Sequence, residues 1–321
     1  MARAATTAAI DRPGRPRSMA RQSAYAYAYI FPAFFFLAFA TLIGVVYTIY
    51  ISFTNADGLE HFDPSTWDGV GFRNYREVIF GIEFSTFIQV FQWTVLFALF
   101  SMAVSFGVGL LLALLLNDKS IPERSVYRML LIIPWALPGA IAVLAWSGIL
   151  NPDFGYLNNF LEDIGLPRVN WLNDPNWARF SVVMVNVWLT FPFMMTACLG
   201  ALQSVPDELA ESARIDGAGP FARFRYVSFP FLSSVVTPLL IGNFAYQFNN
   251  FNQIYLLTRG NPPSLDTDAG KTDIMISYTF NLTVTQQRFA VAASYAVLIF
   301  LIIGTISLFN MKLSRAFQEV D

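Results

Sequence analysis

Six long apolar stretches without an ionisable side chain constrain this chain more than any other feature. They run approximately over residues 25–53, 87–116, 129–150, 180–202, 232–257 and 289–311, and none contains Asp, Glu, Lys, Arg or His. A hydrocarbon layer about 30 Å thick takes roughly 20 apolar residues in a helix. Inside that layer each backbone N–H and C=O must find its partner within the protein, which leaves helices or closed barrels. The pattern therefore predicts an all-α integral membrane protein with about six transmembrane helices. Composition agrees: only 13% of the 321 residues are charged, against about 25% in a soluble domain.

Several chemistries are disfavoured at once. The net charge of −2 offers no electrostatic footprint for nucleic acid. Cys198 is the only cysteine, so no intrachain disulfide can form, and His61 is the only histidine. A metal site or a histidine- or cysteine-based active site is not expected from such a set. Arg12, Arg15, Arg17 and Arg21 precede the first apolar run, as in a secretory signal. That run is much longer than the roughly 7–15 residues of a signal core, and no clear small-x-small cleavage site follows it. Residues 1–22 read as a basic cytoplasmic tail with little to bury, and 23–321 as the membrane domain.

Orientation follows from the basic residues of the connections. Arg3, Arg12, Arg15, Arg17, Arg21, Lys119, Arg124, Arg128, Arg214, Arg223, Arg225, Lys312 and Arg315 share one side. The other side carries Arg73, Arg76, Arg168, Arg179, Arg259, Lys271 and Arg288. The excess places both termini and the connection 206–230 in the cytoplasm. Trp67, Trp171 and Trp177 fall in the outer connections, where interfacial aromatics belong.

The connection 206–230 opens as a short helix. Pro206 suits a first helical position, and Asp207 and Glu208 complement the N-terminal dipole. Gly217, Gly219 and Pro220 then stop it. Leu209, Ala213, Ile215 and Asp216 give it a mixed apolar and charged surface. Such a helix, presented on a turn, can dock in a groove of another protein, or it can simply connect two spans. Ala269-Gly270-Lys271-Thr272 resembles the end of a phosphate-binding loop, but the glycine required at 265 is Leu265. No ATPase site is expected in this chain, so any energy comes from a partner.

Two spans carry polar stripes. Asn243, Gln247 and Asn250 recur at i, i+4 and i+7, with Tyr246 beside them, and Asn186, Thr190 and Phe193 repeat that spacing. Each set falls on one helix face. Amides in a bilayer are costly unless paired, so the stripes read either as interhelical glue or as the wall of a polar cavity. In the second case Tyr246, Phe193, Phe244, Phe248 and Phe251 are candidates to stack on apolar sugar faces. Pro134, Pro138, Gly139 and Pro192 interrupt the third and fourth spans, as ordinary irregularity or as bends lining a path. Carriers coupled to protons or sodium keep ionisable groups at membrane depth. Their absence here favours a neutral solute.

The spacing within 206–230 resembles the cytoplasmic motif of permease subunits of ABC importers, EAA-x3-G-x9-I-x-LP. Here Glu211-Ser212-Ala213 is followed after three residues by Gly217, and after nine more by Val227, Ser228, Phe229 and Pro230. Glu-Ser-Ala-Arg-Ile-Asp-Gly-Ala-Gly-Pro-Phe is similar to the carbohydrate branch. Residues 243–251, 256–260 and 186–193 resemble the larger permease subunit of maltose-type importers.

The resemblance implies a type I ABC importer permease fold. It also implies partners: a second permease subunit, two copies of an ATPase subunit that bind ATP and Mg, and an extracytoplasmic sugar-binding protein, all in bacterial or archaeal cytoplasmic membrane lipid. No cofactor is expected in this chain. Glu208, Glu211, Ala213, Asp216 and Gly217 are implied to meet the ATPase through a helix at 206–219. Asn186, Leu189, Thr190, Phe193, Asn243, Tyr246, Gln247 and Asn250 are implied to line the sugar site. At four of these the chain departs from the resembled pattern: Asn243 stands for Ser, Gln247 for Asn, Thr190 for Gly and Phe193 for Tyr. The implied cargo is a di- or oligosaccharide of maltose, maltodextrin or trehalose type. The alternatives are another glycoside, a polyol or glycerol phosphate, or a stand-alone secondary transporter. The first outer connection, 54–86, is short, as in compact six-span members. The connection 258–288, the longest after the first, is expected to be ordered but irregular and to face the binding protein.

Overall fold

A computed structural model describes residues 19–58 and 63–313. His61, Arg315 and most of the basic tail expected over 1–22 lie outside the described residues. The chain divides into two compact units, Met1–Tyr50 and Ile51–Asp321. The described part of the first belongs to helix α1, Met19–Ser52, so that residues 19–22 of the expected tail are helical.

Among the described residues of the second unit there are twelve more α-helices. In chain order these are α2 Arg73–Phe80, α3 Phe84–Leu116, α4 Arg124–Ala136, α5 Gly139–Ile149, α6 Tyr156–Asp163, α7 Pro175–Gln203, α8 Asp207–Ile215, α9 Pro220–Arg223, α10 Phe229–Phe248, α11 Phe251–Leu257, α12 Met275–Val284 and α13 Phe289–Leu313. Among the described residues no strand occurs, and Thr54 and Gly69 meet in an isolated antiparallel bridge. Five helical segments among the described residues are long and apolar enough to cross a membrane: Tyr29–Ser52, Phe84–Leu116, Pro175–Gln203, Pro220–Phe248 and Phe289–Leu308. The α4–α5 pair is apolar enough to count as a sixth when its two helices are taken as one broken span.

The central pair is α3 against α7. Ser101, Ser105, Gly109 and Ala113 recur every fourth residue along α3 and so share one face. Without a hydrophobic drive between helices in lipid, small residues let backbones approach and gain packing contact. A Cβ at Gly109 would stand 2.7 Å from Met194 Cβ and from the main-chain nitrogen of Met195. Ser105 Oγ lies 2.7 Å from Thr190 Oγ1. Below this seam Ala113, Met195, Cys198, Leu199, Leu232 and Val236 form one buried cluster. At the other end Trp93, Phe97, Val182, Val185, Ile254 and Ile274 form another. α7 begins at Asp174, whose Oδ1 accepts from the N–H groups of Asn176 and Trp177, both at 3.0 Å, with Pro175 in the first turn.

Three expectations are corrected here. The stretch 129–150 is not a kinked helix but two helices bent by 90° at the break between Ala136 and Gly139. Pro138 cannot supply the N–H that would continue α4, and it instead precedes α5 in an extended conformation (φ −57°, ψ 116°). The stretch 232–257 is likewise split, because α10 stops at Phe248 and α11 starts at Phe251. Asn250 therefore sits at the break, not on the α10 helix with Asn243 and Gln247.

The loop read at 206–230 is also shorter than expected. It ends at Gly219, because α9, a π-helical turn at Phe224–Ser228 and α10 run on as one helix. Pro220 restarts the helix at its first position, where a missing N–H costs nothing. The wide turn then falls just before Pro230, which cannot donate an i→i−4 bond.

The segment after α11 is ordered and irregular, as expected, but 275–284 within it is helical. Thr258 and Thr272 hydroxyls meet at 2.7 Å. Trp93 Nε1 donates to the Thr272 carbonyl at 3.1 Å, and Arg179 Nε to that of Lys271 at 2.8 Å. Asp273 accepts from the Gly270 N–H at 2.9 Å and from Ser277 Oγ at 2.7 Å. Glu83 pairs with Arg288 at 2.5 Å, which ties the start of α3 to the approach of α13.

Candidate functional site

A cavity of about 720 Å³ opens between α4, α5, α7, α10 and α11, within the size range of small-molecule pockets. The two helix breaks create it. The right-angle turn at Leu137–Pro138 brings Pro134, Trp135, Leu137, Gly139, Ala140 and Val143 to one side. The lining also takes in Asn186, Leu189, Thr190 and Phe193 on α7, and Gly242, Asn243 and Tyr246 on α10. The break after α10 adds Asn250, Asn252 and Gln253. No residue in this lining carries a charge.

Seven of the eight residues expected to line a sugar site do border the cavity: Asn186, Leu189, Thr190, Phe193, Asn243, Tyr246 and Asn250. Gln247 does not; it is fully buried behind the wall. There its Oε1 accepts from Asn186 Nδ2 at 2.9 Å and from Asn250 Nδ2 at 3.2 Å. Asn250 Nδ2 also reaches Asn186 Oδ1 at 3.1 Å and Gln253 Oε1 at 3.1 Å. Glue and cavity wall thus overlap: Asn186, Asn250 and Gln253 serve both, whereas Gln247 only helps to hold α7, α10 and α11 together. Thr190 Oγ1 donates to the Asn186 carbonyl at 2.7 Å, one turn back on α7. With its hydrogen committed there, Thr190 can only accept from Ser105.

The aromatic candidates separate. Tyr246 is well exposed and Phe193 partly so, and both border the cavity. Phe244, Phe248 and Phe251 do not. Phe248 is fully buried and Phe244 packs against the same cluster. Phe251 lies among Tyr255 and Phe280, with ring centroids 5.1 and 4.8 Å away. These three fall on other faces of α10 and α11. Sequence reasoning missed Trp135, Asn252 and Gln253. Trp135 stands 6.2 Å from Phe193, centroid to centroid, tilted by 46°. Its signal was the two prolines flanking it, at 134 and 138.

The second candidate surface is α8. Glu208, Glu211 and Asp216 are exposed, and Ala213 is partly so. Gly217 has φ +78°, a conformation that favours glycine. Its N–H donates to the Arg214 carbonyl at 3.0 Å, and that of Ala218 to the Ala213 carbonyl at 2.9 Å, which closes the helix with two reversed bonds. Ile215 and Phe221 stand out at 86% and 79% exposure. Lys119 Nζ bridges to Asp207 at 3.0 Å, linking the α3–α4 turn to the start of α8.

Known proteins are similar to this chain in sequence and in fold. Residues 105–315 match the family described as binding-protein-dependent transport system inner membrane component. The chain is 34% identical over 299 residues to the galactooligosaccharides transport system permease protein GanP of Bacillus subtilis (strain 168), covering 92% of this chain and 71% of that one. It is 39% identical over 271 residues to the maltose/maltodextrin transport system permease protein MalF of Photorhabdus laumondii, covering 81% and 52%. The chain thus spans about half the length of that MalF relative. A similar fold occurs in a solved bacterial ABC transporter involved in the import of the acidic polysaccharide alginate, with a TM-score of 0.76 at 22% identity, covering 93% and 98%.

Proposed function

This chain belongs to the family of inner membrane components of binding-protein-dependent transport systems, and from that premise we propose that it forms half of the path by which an ATP-driven importer carries a neutral di- or oligosaccharide. The observation that carries the reading is the uncharged cavity at the two helix breaks, bordered by amides on one wall and by Trp135, Phe193 and Tyr246. Amides both donate and accept, as sugar hydroxyls do, and flat aromatic faces suit the apolar faces of sugar rings. The permease names of the relatives, galactooligosaccharides and maltose/maltodextrin, support the same cargo class. A phosphorylated or ionic cargo would meet no compensating charge there.

In this reading the second permease subunit closes the other side of the path. A sugar-binding protein delivers cargo to the outer connections, and two ATPase subunits dock on the cytoplasmic side. α8 sits in a cleft of one ATPase, with Glu211 pairing with a basic group and Gly217 making the turn beside it. Closure of the ATPases on ATP moves α8, and the continuous helix from Pro220 to Phe248 carries that displacement to Asn243 and Tyr246. Access then alternates between the two faces of a bacterial or archaeal cytoplasmic membrane.

The test is uptake into proteoliposomes holding this chain, its companion permease, ATPase and binding protein. The panel comprises maltodextrins, galactooligosaccharides, trehalose, amino acids and sugar phosphates. Uptake of one of the neutral sugars that requires ATP is expected. Uptake by the chain without an ATPase, or a preference for amino acids or phosphate esters, would overturn the reading.

A further inference from the structure

One amide at the cavity has its orientation fixed from outside the amide cluster. Gln253 is 3% exposed, and its Nε2 donates to the main-chain carbonyl of Val182, on α7, at 3.0 Å. A carbonyl can only accept. The nitrogen of Gln253 must therefore face Val182, and its Oε1 must face the other way, toward Asn250 Nδ2 at 3.1 Å. This removes the ambiguity of orientation that side-chain amides otherwise carry.

The consequence passes to Asn250. Its NH2 group has to turn into the wall, where it also meets Asn186 Oδ1 at 3.1 Å and Gln247 Oε1 at 3.2 Å. Reversing Asn250 would gather four amide oxygens around one point with no hydrogen between them and Asn250, and buried acceptors without donors are expensive. Asn250 Oδ1 accepts no hydrogen bond from the described residues, and Asn250 borders the cavity. Asn243, which also borders it, has an Oδ1 that is buried and without a partner. At Asn250 the α10–α11 side of the cavity thus offers an acceptor that lacks a donor.

We infer that Gln253 is a positioning residue that fixes Asn250 as a hydrogen-bond acceptor toward the cavity, so that the path selects cargo able to donate a hydroxyl hydrogen at that point. The inference rests on the oligosaccharide reading and adds to it the polarity of one contact and the residue that sets it. Gln253 was in neither polar stripe of the sequence, because it lies beyond the break that begins α11.

The experiment uses the complete reconstituted complex and maltose or galactobiose, whichever is taken up. Each is compared with its series of singly deoxyfluorinated analogues, since fluorine cannot donate. The same binding protein serves every variant, so its own selectivity cancels in the comparison. In the wild type at least one fluorinated position is expected to lose tenfold or more in kcat/KM. In Gln253→Met no main-chain group fixes the amides, so Asn250, Asn186 and Gln247 can reverse together; that loss then shrinks below threefold while uptake of the parent sugar stays within tenfold. Gln253→Glu, as a neutral acid, can donate to Val182 and accept from Asn250, and it restores the discrimination. Asn250→Leu removes the acceptor and flattens the same position, which covers the case in which the Met variant does not assemble.

A discrimination ratio unchanged in Gln253→Met or Asn250→Leu overturns the inference, because a purely structural role lowers uptake of parent and analogue alike. So does a wild type indifferent to every fluorine. If no neutral sugar of the panel is taken up at all, the oligosaccharide reading falls as well.

Discussion

Asn249 and Asn250 are neighbours in sequence and opposites in surroundings. Asn249 is exposed at the end of α10, whereas the NH2 of Asn250 reaches three amide oxygens. Replacing Asn250 by alanine takes the donor from Asn186 Oδ1 and Gln253 Oε1, while Gln247 Oε1 keeps Asn186 Nδ2; the cost is about 1–3 kcal/mol for each buried group left unsatisfied. Asn250→Ala is expected to lower kcat/KM for sugar uptake by about tenfold or more, and Asn249→Ala to leave it within about twofold. Equal losses would mean that only helix packing at the break matters. Asp273 poses a different residue-scale question. Burial pushes its carboxyl up from 3.8 to about 6, although the Ser277 hydroxyl and the Gly270 N–H favour the ionised form. With the folded value above the unfolded one, the native state holds the extra proton between about pH 4 and 6. Stability therefore falls as pH rises through that window. The thermal midpoint of the solubilised protein is expected to fall between pH 4 and 6.5, and Asp273→Asn, which cannot ionise, to flatten that slope.

At the scale of elements, the apolar stretches were legible because a bilayer demands an uninterrupted apolar run, and α3, α7 and α13 obey that demand directly. The breaks were less legible. Pro138 announced a disturbance, but a proline permits either a bend or a full stop, and which one forms depends on what fills the space beyond it. The α10–α11 break has no proline at Asn249–Asn250 at all. It is stabilised by amide contacts to α7, a tertiary cause that helical spacing cannot reveal. For that reason the i, i+4, i+7 stripe named the right residues on a wrong premise, with Asn250 reaching the cavity from a turn. The close packing of α3 was carried by its four-residue spacing of small side chains, a signal overlooked in favour of the polar stripes. Gly109→Val puts a branched side chain against Met194 and Met195. Overpacking of that kind costs about 1–3 kcal/mol. A lower thermal midpoint in detergent is expected, while Gly107→Val, with open space at its Cβ, leaves the midpoint unchanged.

For the whole molecule, the residues proposed to set cargo and those proposed to take up ATP energy lie on different elements. The cavity depends on α4, α5, α7 and the α10–α11 break, whereas α8 is a separate exposed helix. One continuous helical path, Pro220 to Phe248, lies between them. This arrangement separates two kinds of failure. A change on α8 alters how much motion reaches the cavity and leaves the cavity's contacts alone, so it scales the uptake of every cargo by one factor. A change in the cavity alters contacts that differ from cargo to cargo, so it reorders them. Glu211→Lys reverses the charge proposed to meet the ATPase, and Gly217→Asp forces a side chain into φ +78°. Each is expected to lower uptake of all transported sugars by the same large factor, with ATPase binding weakened or its activity uncoupled. Trp135→Ala, in contrast, is expected to change the ratio of long to short maltodextrins while ATP hydrolysis still tracks uptake. Parallel measurement of uptake ratios and ATP hydrolysed per sugar in these variants decides the matter. Full transport with tightly bound ATPase in Glu211→Lys or Gly217→Asp would remove α8 from the drive, and a reordered cargo preference in either would show that the two ends are not separable.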